Sequence, residues 1–261
     1  MRKSRRMHST EADELEKSYK LPEIVQQRKQ TLKKLSVKPG EKILDIGCGV
    51  GFLSFEIALL TGESGKVFGI DKNSDMILHS NKRCEKLGNT EFSIANADDL
   101  PFTEKFFDAV CCTQVLLYVN DVEKVLSGIK RILKPAGRII IVETDWRGVV
   151  INSGYDSITR KIFSSWDATV PSPNLPVRLG SLLLGNGFCK VNVEPIPILN
   201  TEYTPKHFSH GMMNWITRNA LKKRFITKEQ FQKWLNDLDK KGERGNYFFC
   251  VNRFLFSAKL A

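Results

Sequence analysis

The six cysteines form no C-x-x-C pair. Cys48 lies in a glycine turn, Cys111 and Cys112 are adjacent inside an apolar run, and Cys84, Cys189 and Cys250 stand alone. This pattern excludes a disulfide framework and a thiolate zinc site. Free thiols suit a reducing compartment, and the expected location is cytoplasmic. Histidine is scarce, with four in 261 residues. His207 and His210 could share one side of a helical turn, but no third ligand is near them in sequence, so no metal is expected. Proline precedes neither Cys111 nor Cys112, which argues against a cytosine-attacking thiol and for buried strand thiols. No uncharged apolar run is long enough to span a bilayer, so no transmembrane segment is expected. The basic start MRKSRRM leads into no apolar stretch, as a secretory signal would. Internal repeats and low-complexity segments are missing.

What is present is 41% hydrophobic residues, enough for one large α/β core. The formal net charge is +11. A basic balance can mark a nucleic-acid or acidic-lipid binder. Here the charge is dispersed, in short groups at Arg2–Arg6, Arg28–Lys34 and Lys222–Arg224 with acids between, and it reads as solvated surface.

From residue 40 to 143, strand and helix patterns alternate. Apolar strands are expected at Lys42–Ile46, Lys66–Ile70, Glu91–Ala95, Phe107–Cys112 and Gly137–Glu143. Helices are expected at Phe52–Leu60, Ser74–Leu87 and Val122–Leu133. Apolar strands between helices predict a parallel sheet buried on both faces. Before it, residues 10–36 look helical, with Thr10 able to cap and Pro22 breaking the run in two. After it, a helix at Pro176–Leu184, a strand at Cys189–Glu194, a capping box at Thr227–Gln230 and a final strand at Tyr247–Leu260 are expected. The last strand should pair antiparallel at the sheet edge.

Ligands of open α/β sheets lie beyond the carboxyl ends of the strands. The first strand there runs into L-D-I-G-C-G-V-G-F. Gly47, Gly49 and Gly51 give G-x-G-x-G, and Phe52 stands where the dinucleotide fingerprint needs its third glycine. Asp45 would repel a pyrophosphate but could hold an ammonium group. The turn therefore points away from a dinucleotide.

Five ordered motifs carry a resemblance. E-K-I-L-D-I-G-C-G-V-G, V-F-G-I-D-K-N-S-D-M-I, A-N-A-D-D-L-P-F, F-D-A-V-C-C-T-Q-V-L-L-Y-V and R-I-L-K-P-A-G-R-I-I-I-V-E resemble the successive motifs of class I S-adenosylmethionine (SAM)-dependent methyltransferases, closest to the methyltransferase-11/UbiE-like group. The resemblance implies an α/β fold with a doubly wound, Rossmann-like seven-stranded sheet. That sheet is mostly parallel with an antiparallel last strand, and helices cover both faces. It implies SAM as cofactor, with S-adenosylhomocysteine as product. Asp45, Gly47, Cys48 and Gly49 would line the methionine and ribose part, and Asp71 would bind the ribose hydroxyls. Lys72 and Met76 would flank the adenine, with Asn96, Ala97 and Asp98 around it. Asn96 stands where the family generally has Asp, a neutral and weaker acceptor. Gln114 would lie near the sulfonium, and Arg28 could pair with the methionine carboxylate.

The implied domain plan is one methyltransferase domain over 1–261. Within it lie an N-terminal helical lid (1–38), a SAM-binding core (40–143), substrate-side insertions (145–186 and 196–242) and the final edge-region strand (247–260). In-line methyl transfer needs positioning and, for some acceptors, a base. Tyr19, His207 and Tyr203 are the catalytic candidates, from a wider set with Tyr118, Asp145 and Tyr155. Trp146, Trp166, Phe208 and Trp215 suggest a small-molecule acceptor with an aromatic or apolar part. Two alternatives stand beside this reading. One is an RNA or protein methyltransferase, disfavoured because the fourth strand ends in T-Q-V-L-L-Y rather than an N-P-P-Y-type sequence. The other is a SAM-binding protein without methyl transfer.

Overall fold

A computed structural model describes residues 11–261. The expected cap Thr10 and the basic group Arg2–Arg6 lie outside the described residues. Two helices open the described chain, α1 (Glu11–Tyr19) and α2 (Pro22–Leu35), with Pro22 at the first turn of α2. Proline lacks the N–H that the first helical turn leaves unpaired, so it ends one helix and begins the next.

The central strands are apolar on both faces, whereas the segment Thr90–Ile94 is largely exposed and carries Glu91 and Ser93 on one face. β1 (Lys42–Ile46), β2 (Lys66–Asp71), β3 (Thr90–Ile94), β4 (Phe107–Thr113) and β5 (Leu133–Thr144) are parallel, in the order 3-2-1-4-5. Ile43, Leu44 and Ile46 of β1 are fully buried. Helices α3 (Phe52–Thr61), α4 (Ser74–Cys84) and α5 (Val122–Ile132) join the strands. One face of the sheet packs against Leu126 and Ile129 of α5 and Leu179 and Leu183 of α7 (Pro176–Gly185). The other packs against Leu35 of α2 and Leu53 and Ile57 of α3. No helix among the described residues is long and apolar enough to cross a membrane.

Among the described residues the sheet has eight strands rather than seven, because two residues, Val150–Ile151, form a short β6. β8 (Phe249–Leu260) is antiparallel to β5, as expected, but it is not at the edge. β5 and β6 lie along one side of it and β7 (Phe188–Asn200) along the other. The edge strand is β7. It runs six residues past the expected Glu194, through Pro195 and Pro197. These prolines are two apart, so the missing N–H groups share one side of the strand. An edge strand has such a side free of ladder bonds, which is where proline is tolerated. Residues 196–200 thus belong to β7 and not to the second insertion. α7 packs under the sheet, so the first insertion does not reach residue 186 as a substrate-side element. α4 ends at Cys84, short of the expected Leu87.

Above the carboxyl ends of the strands, α6 (Asp156–Asp167), α8 (Phe208–Lys222) and α9 (Lys228–Glu243) form a cap with its own core. α9 begins with the expected capping box. Thr227 Oγ1 accepts from the Gln230 N–H at 3.1 Å, and the Gln230 side chain accepts from the Thr227 N–H at 3.1 Å. Trp166 and Trp234 are fully buried in this core, and Trp146, Trp166 and Trp215 meet edge to face at 5.4 and 5.0 Å. The aromatics expected to line an acceptor pocket are therefore largely the packing of the cap. Trp146, Trp166 and Phe208 are buried, and Trp215 is half exposed.

Candidate functional site

The turn after β1 is built by backbone rather than side chains. The N–H groups of Gly47 and Cys48 both donate to the Ile70 carbonyl, at 2.8 and 2.9 Å, tying the ends of β1 and β2 together. Gly47 has φ +70°, and a Cβ there would sit 2.2 Å from a methyl of Val115. Gly51 has φ +81°, and a Cβ there would strike the Ser80 backbone at 2.9 Å. Both positions need glycine for space as well as conformation. Gly49 differs. The nearest atom to a Cβ there would be the Tyr19 hydroxyl, at 3.4 Å, so its bare face looks toward α1.

Two acids flank the turn. Asp45 is buried, accepts from Ser54 Oγ at 2.6 Å and receives the Cys111 thiol at 3.5 Å. Burial pushes its pKa up to about 6, against the pull of the Ser54 and Cys111 contacts. Asp71, at the end of β2, accepts from the Gly49 N–H at 3.1 Å through one oxygen and from the Asn73 N–H at 3.0 Å through the other. Each oxygen keeps acceptor capacity beyond these single donors.

A narrow cleft opens at this turn, lined by residues that include Tyr19, Gln27, Arg28, Asp45, Gly47, Cys48 and Thr113. It brings together four residues expected at the cofactor (Asp45, Gly47, Cys48 and Arg28) and one expected in catalysis, Tyr19. The Cys48 side chain is buried beneath the turn near Ser80, so only its backbone faces a ligand. Burial raises its thiol well above the usual range. Arg28 is already engaged: it donates to Glu56 at 2.7 Å and to the Tyr19 carbonyl at 3.1 Å. Gln114 donates to the Val142 carbonyl at 3.1 Å and accepts from Thr144 Oγ1 at 2.6 Å, so its amide is turned toward β5.

Lys72, Asn96 and Asp98 are exposed, and Ala97 is half-buried. None of these four lines the cleft. Met76 is buried in a small cluster with Ala12 and Val50, packed by Leu15, Tyr19 and Phe52. That cluster seats α1 on the turn. Glu16 holds it there, 3.4 Å from Arg83 and 3.7 Å from His79 of α4. Arg83 in turn donates to the Val50 carbonyl at 2.7 Å.

The three catalytic candidates separate. Tyr19 is at the cleft, and burial followed by the charge of Asp45 pushes its phenol up to about 12. Tyr203 lies in the cap core, 5.0 Å from the Tyr247 ring and 4.8 Å from that of His210, accepting from Asn214 at 3.0 Å. Burial raises its pKa as well. His207 Nδ1 lies 2.8 Å from Glu23 Oε1, the carboxylate that also accepts from Asn200. Glu23 is one helical turn from the cleft residue Gln27.

Several residues here were given no role by the motifs. Gln27 and Thr31 line the cleft from α2. Glu143, fully buried, accepts from the Val115 and Leu116 N–H groups at 3.0 and 2.7 Å. Arg253, 5% exposed, donates to Gln27 and stacks over Phe208 at 4.8 Å. The available signal for Arg253 was one arginine on the apolar side of an alternating strand.

The UbiE ubiquinone/menaquinone biosynthesis C-methyltransferase of Francisella tularensis subsp. novicida is 38% identical over 121 residues, which is 44% of this chain and 48% of that protein. The chain thus matches about half the length of that curated relative. Among solved structures, the YcgJ protein of Bacillus subtilis superposes with a TM-score of 0.63 at 16% identity, covering 90% of this chain and 98% of that one. Phosphoethanolamine N-methyltransferase 2 of Haemonchus contortus, solved with S-adenosyl-L-methionine, gives 0.63 at 19% identity, covering 98% of this chain and 58% of that one. These two likenesses establish the fold. A methyltransferase-domain family model matches residues 37–171, just over half of the chain, from just before β1 through the first helix of the cap. The protein belongs to the methyltransferase domain family.

Proposed function

We propose that the protein transfers a methyl group from SAM to a small organic acceptor by in-line displacement. The observation that carries this reading is the cleft at the β1 turn, where two strand-end acids flank a backbone of three left-handed glycines. The residues fit SAM: Asp71 has acceptor capacity left for a pair of hydroxyls, and the Asp45 carboxylate suits a cationic ammonium.

When bound, SAM supplies an electrophilic sulfonium methyl, so the protein has mainly to bind, orient and exclude water. Asp71 orients the ribose end, and Gly47 and Gly49 let the backbone come close. Tyr19, with its phenol raised to about 12, stays protonated near neutral pH and acts as a donor at the cleft. His207, oriented by Glu23, is the proposed proton acceptor for an acidic acceptor group. Tyr203 is proposed as support for the cap. Lys72, Met76, Asn96, Ala97 and Asp98 are proposed to border the adenine, and Gln114 to bound the methyl-transfer region through its backbone. The UbiE relatives support methyl transfer over a shared stretch of the chain, with the acceptor left to experiment.

The test is calorimetric titration with SAM, S-adenosylhomocysteine and NAD, followed by labelled methyl transfer into fractionated small-molecule extracts. SAM binding and a labelled extractable product are expected. Tight NAD binding with no SAM binding would overturn the reading.

A further inference from the structure

Arg253 is a buried cation with no ion-pair partner among the described residues. It sits on β8 with Thr144 of β5 on one side and Ile196 of β7 on the other. Its guanidinium donates to the neutral amide of Gln27 and lies over the Phe208 ring, and its Nε has no hydrogen-bond partner. Among the described residues, no carboxylate forms an ion pair with it. The groups whose charge it feels are Tyr19, Glu143 and Tyr118. Glu143 is bound to two backbone N–H groups, and burial pushes its pKa up to about 8, so it is largely neutral at pH 7. Tyr19 holds its proton to about 12. Burying an arginine with no counter-charge is strongly unfavourable. A ligand that brings a negative charge offsets that penalty.

The sheet order says whose charge it is. The glycine turn follows β1 and Asp71 ends β2, whereas Arg253 is on β8, three strand steps from β1 and four from β2. At the usual strand spacing the β8 backbone is about 14 Å beyond the turn, on the side away from Asp71, and the guanidinium reaches back from it toward the cleft wall. Gln27 bridges the interval, since it lines the cleft and also receives the guanidinium. We infer that Arg253 binds an anionic oxygen group, a carboxylate or a phosphate, carried by the methyl acceptor. Gln27 orients the guanidinium from the cleft wall, and Phe208 supports its other face. The fork of N–H donors suits such groups bidentately. This inference rests on the proposed methyl transfer for the word acceptor, and on the geometry alone for the anion.

The cofactor's own carboxylate has the same chemistry, so the experiment separates the two sources. Wild type is titrated with S-adenosylhomocysteine and with 5′-methylthioadenosine, which lacks the carboxylate. The S-adenosylhomocysteine complex is then titrated with benzoate, phenyl phosphate and the neutral benzamide. At least one anion is expected to bind tenfold or more tighter than benzamide. Arg253→Met should bring the anions to the benzamide level and leave S-adenosylhomocysteine affinity within twofold. Three results would overturn the inference: wild type binding neither anion tighter than benzamide, the variant keeping anion affinity, or the variant losing S-adenosylhomocysteine affinity and not that of 5′-methylthioadenosine. The last would assign the guanidinium to the cofactor. The wild-type arm decides even if the variant does not fold. Should S-adenosylhomocysteine fail to bind at all, the proposed function falls, and the anion–amide comparison on the free protein still decides this inference.

Discussion

Glu143 Oε1 lies 2.7 Å from the backbone nitrogen of Leu116, and the Val115 N–H reaches the same oxygen at 3.0 Å. A side chain at the end of β5 thereby shapes the loop that leaves β4, the loop whose Val115 methyl closes over Gly47. The acid is fully buried and its second oxygen is unpaired.

A pH dependence follows. Folded Glu143 keeps its proton to about pH 8, while the unfolded chain releases it near 4.5. The native state binds the extra proton between these values, so its stabilising effect is present below 4.5 and is lost as pH rises toward 8. One such proton gives a slope of up to about 1.4 kcal/mol per pH unit. Glu143→Gln keeps the acceptor oxygen and removes the titration. Urea unfolding from pH 5 to pH 8 is expected to show a flatter loss of stability in the variant. Parallel curves for the two proteins would refute the assignment.

Asp71→Asn removes the charge and one acceptor oxygen from the end of β2. S-adenosylhomocysteine affinity should fall about tenfold, or about 1.4 kcal/mol, by calorimetry. An unchanged affinity would limit Asp71 to its two backbone contacts.

Gly47→Ala combines a left-handed backbone with a Cβ 2.2 Å from a Val115 methyl, whereas Gly245, at φ +68°, has nothing within 4 Å. Gly245→Ala should cost about 1 kcal/mol from backbone strain alone. Gly47→Ala should cost roughly 2 kcal/mol or more, through strain and overpacking together. Denaturant midpoints of the two variants check the difference. Equal midpoints would mean that the Val115 contact relaxes freely.

The apolar strands and the glycine turn were legible in the sequence because both come from local rules. Apolar strands such as β1 are buried on both faces, and G-x-G-x-G at a strand end has few other uses. The end of β7 was not legible, since Pro195 and Pro197 read as a loop until an edge position makes them tolerable. Trp146 and Trp166 misled for a related reason: an aromatic side chain looks the same in a sequence whether it lines a pocket or fills a core. Arg253 and Gln27 are 226 residues apart in sequence. Nothing local could pair them.

Trp234 tests whether the cap is a structural unit. It is fully buried and donates to Thr159 Oγ1 at 2.8 Å. Trp234→Ala should cost about 3–5 kcal/mol. Hydrogen exchange should show the loss concentrated in α6, α8 and α9, with the β1 turn still protected. Uniform loss across the sheet would show instead that cap and sheet unfold together.

Tyr19→Phe separates donor from base. With its phenol at about 12, Tyr19 does not ionise between pH 6 and 9. The variant should lower the methyl-transfer rate without moving the limbs of the pH–rate profile. A shifted or missing basic limb would identify the phenol as the titrating group.

Glu23, Gln27 and Thr31 stand at four-residue intervals along α2, one reaching His207, one receiving Arg253 and one facing the cleft. The helix therefore works as a ruler, setting the spacing and the angle of three contacts at once. Inserting a single residue between Glu23 and Gln27 would turn one end about 100° against the other and shift it by about 1.5 Å. No side-chain substitution could restore all three alignments together. The length of α2, more than the identity of any residue on it, is what a redesign of this site must leave untouched.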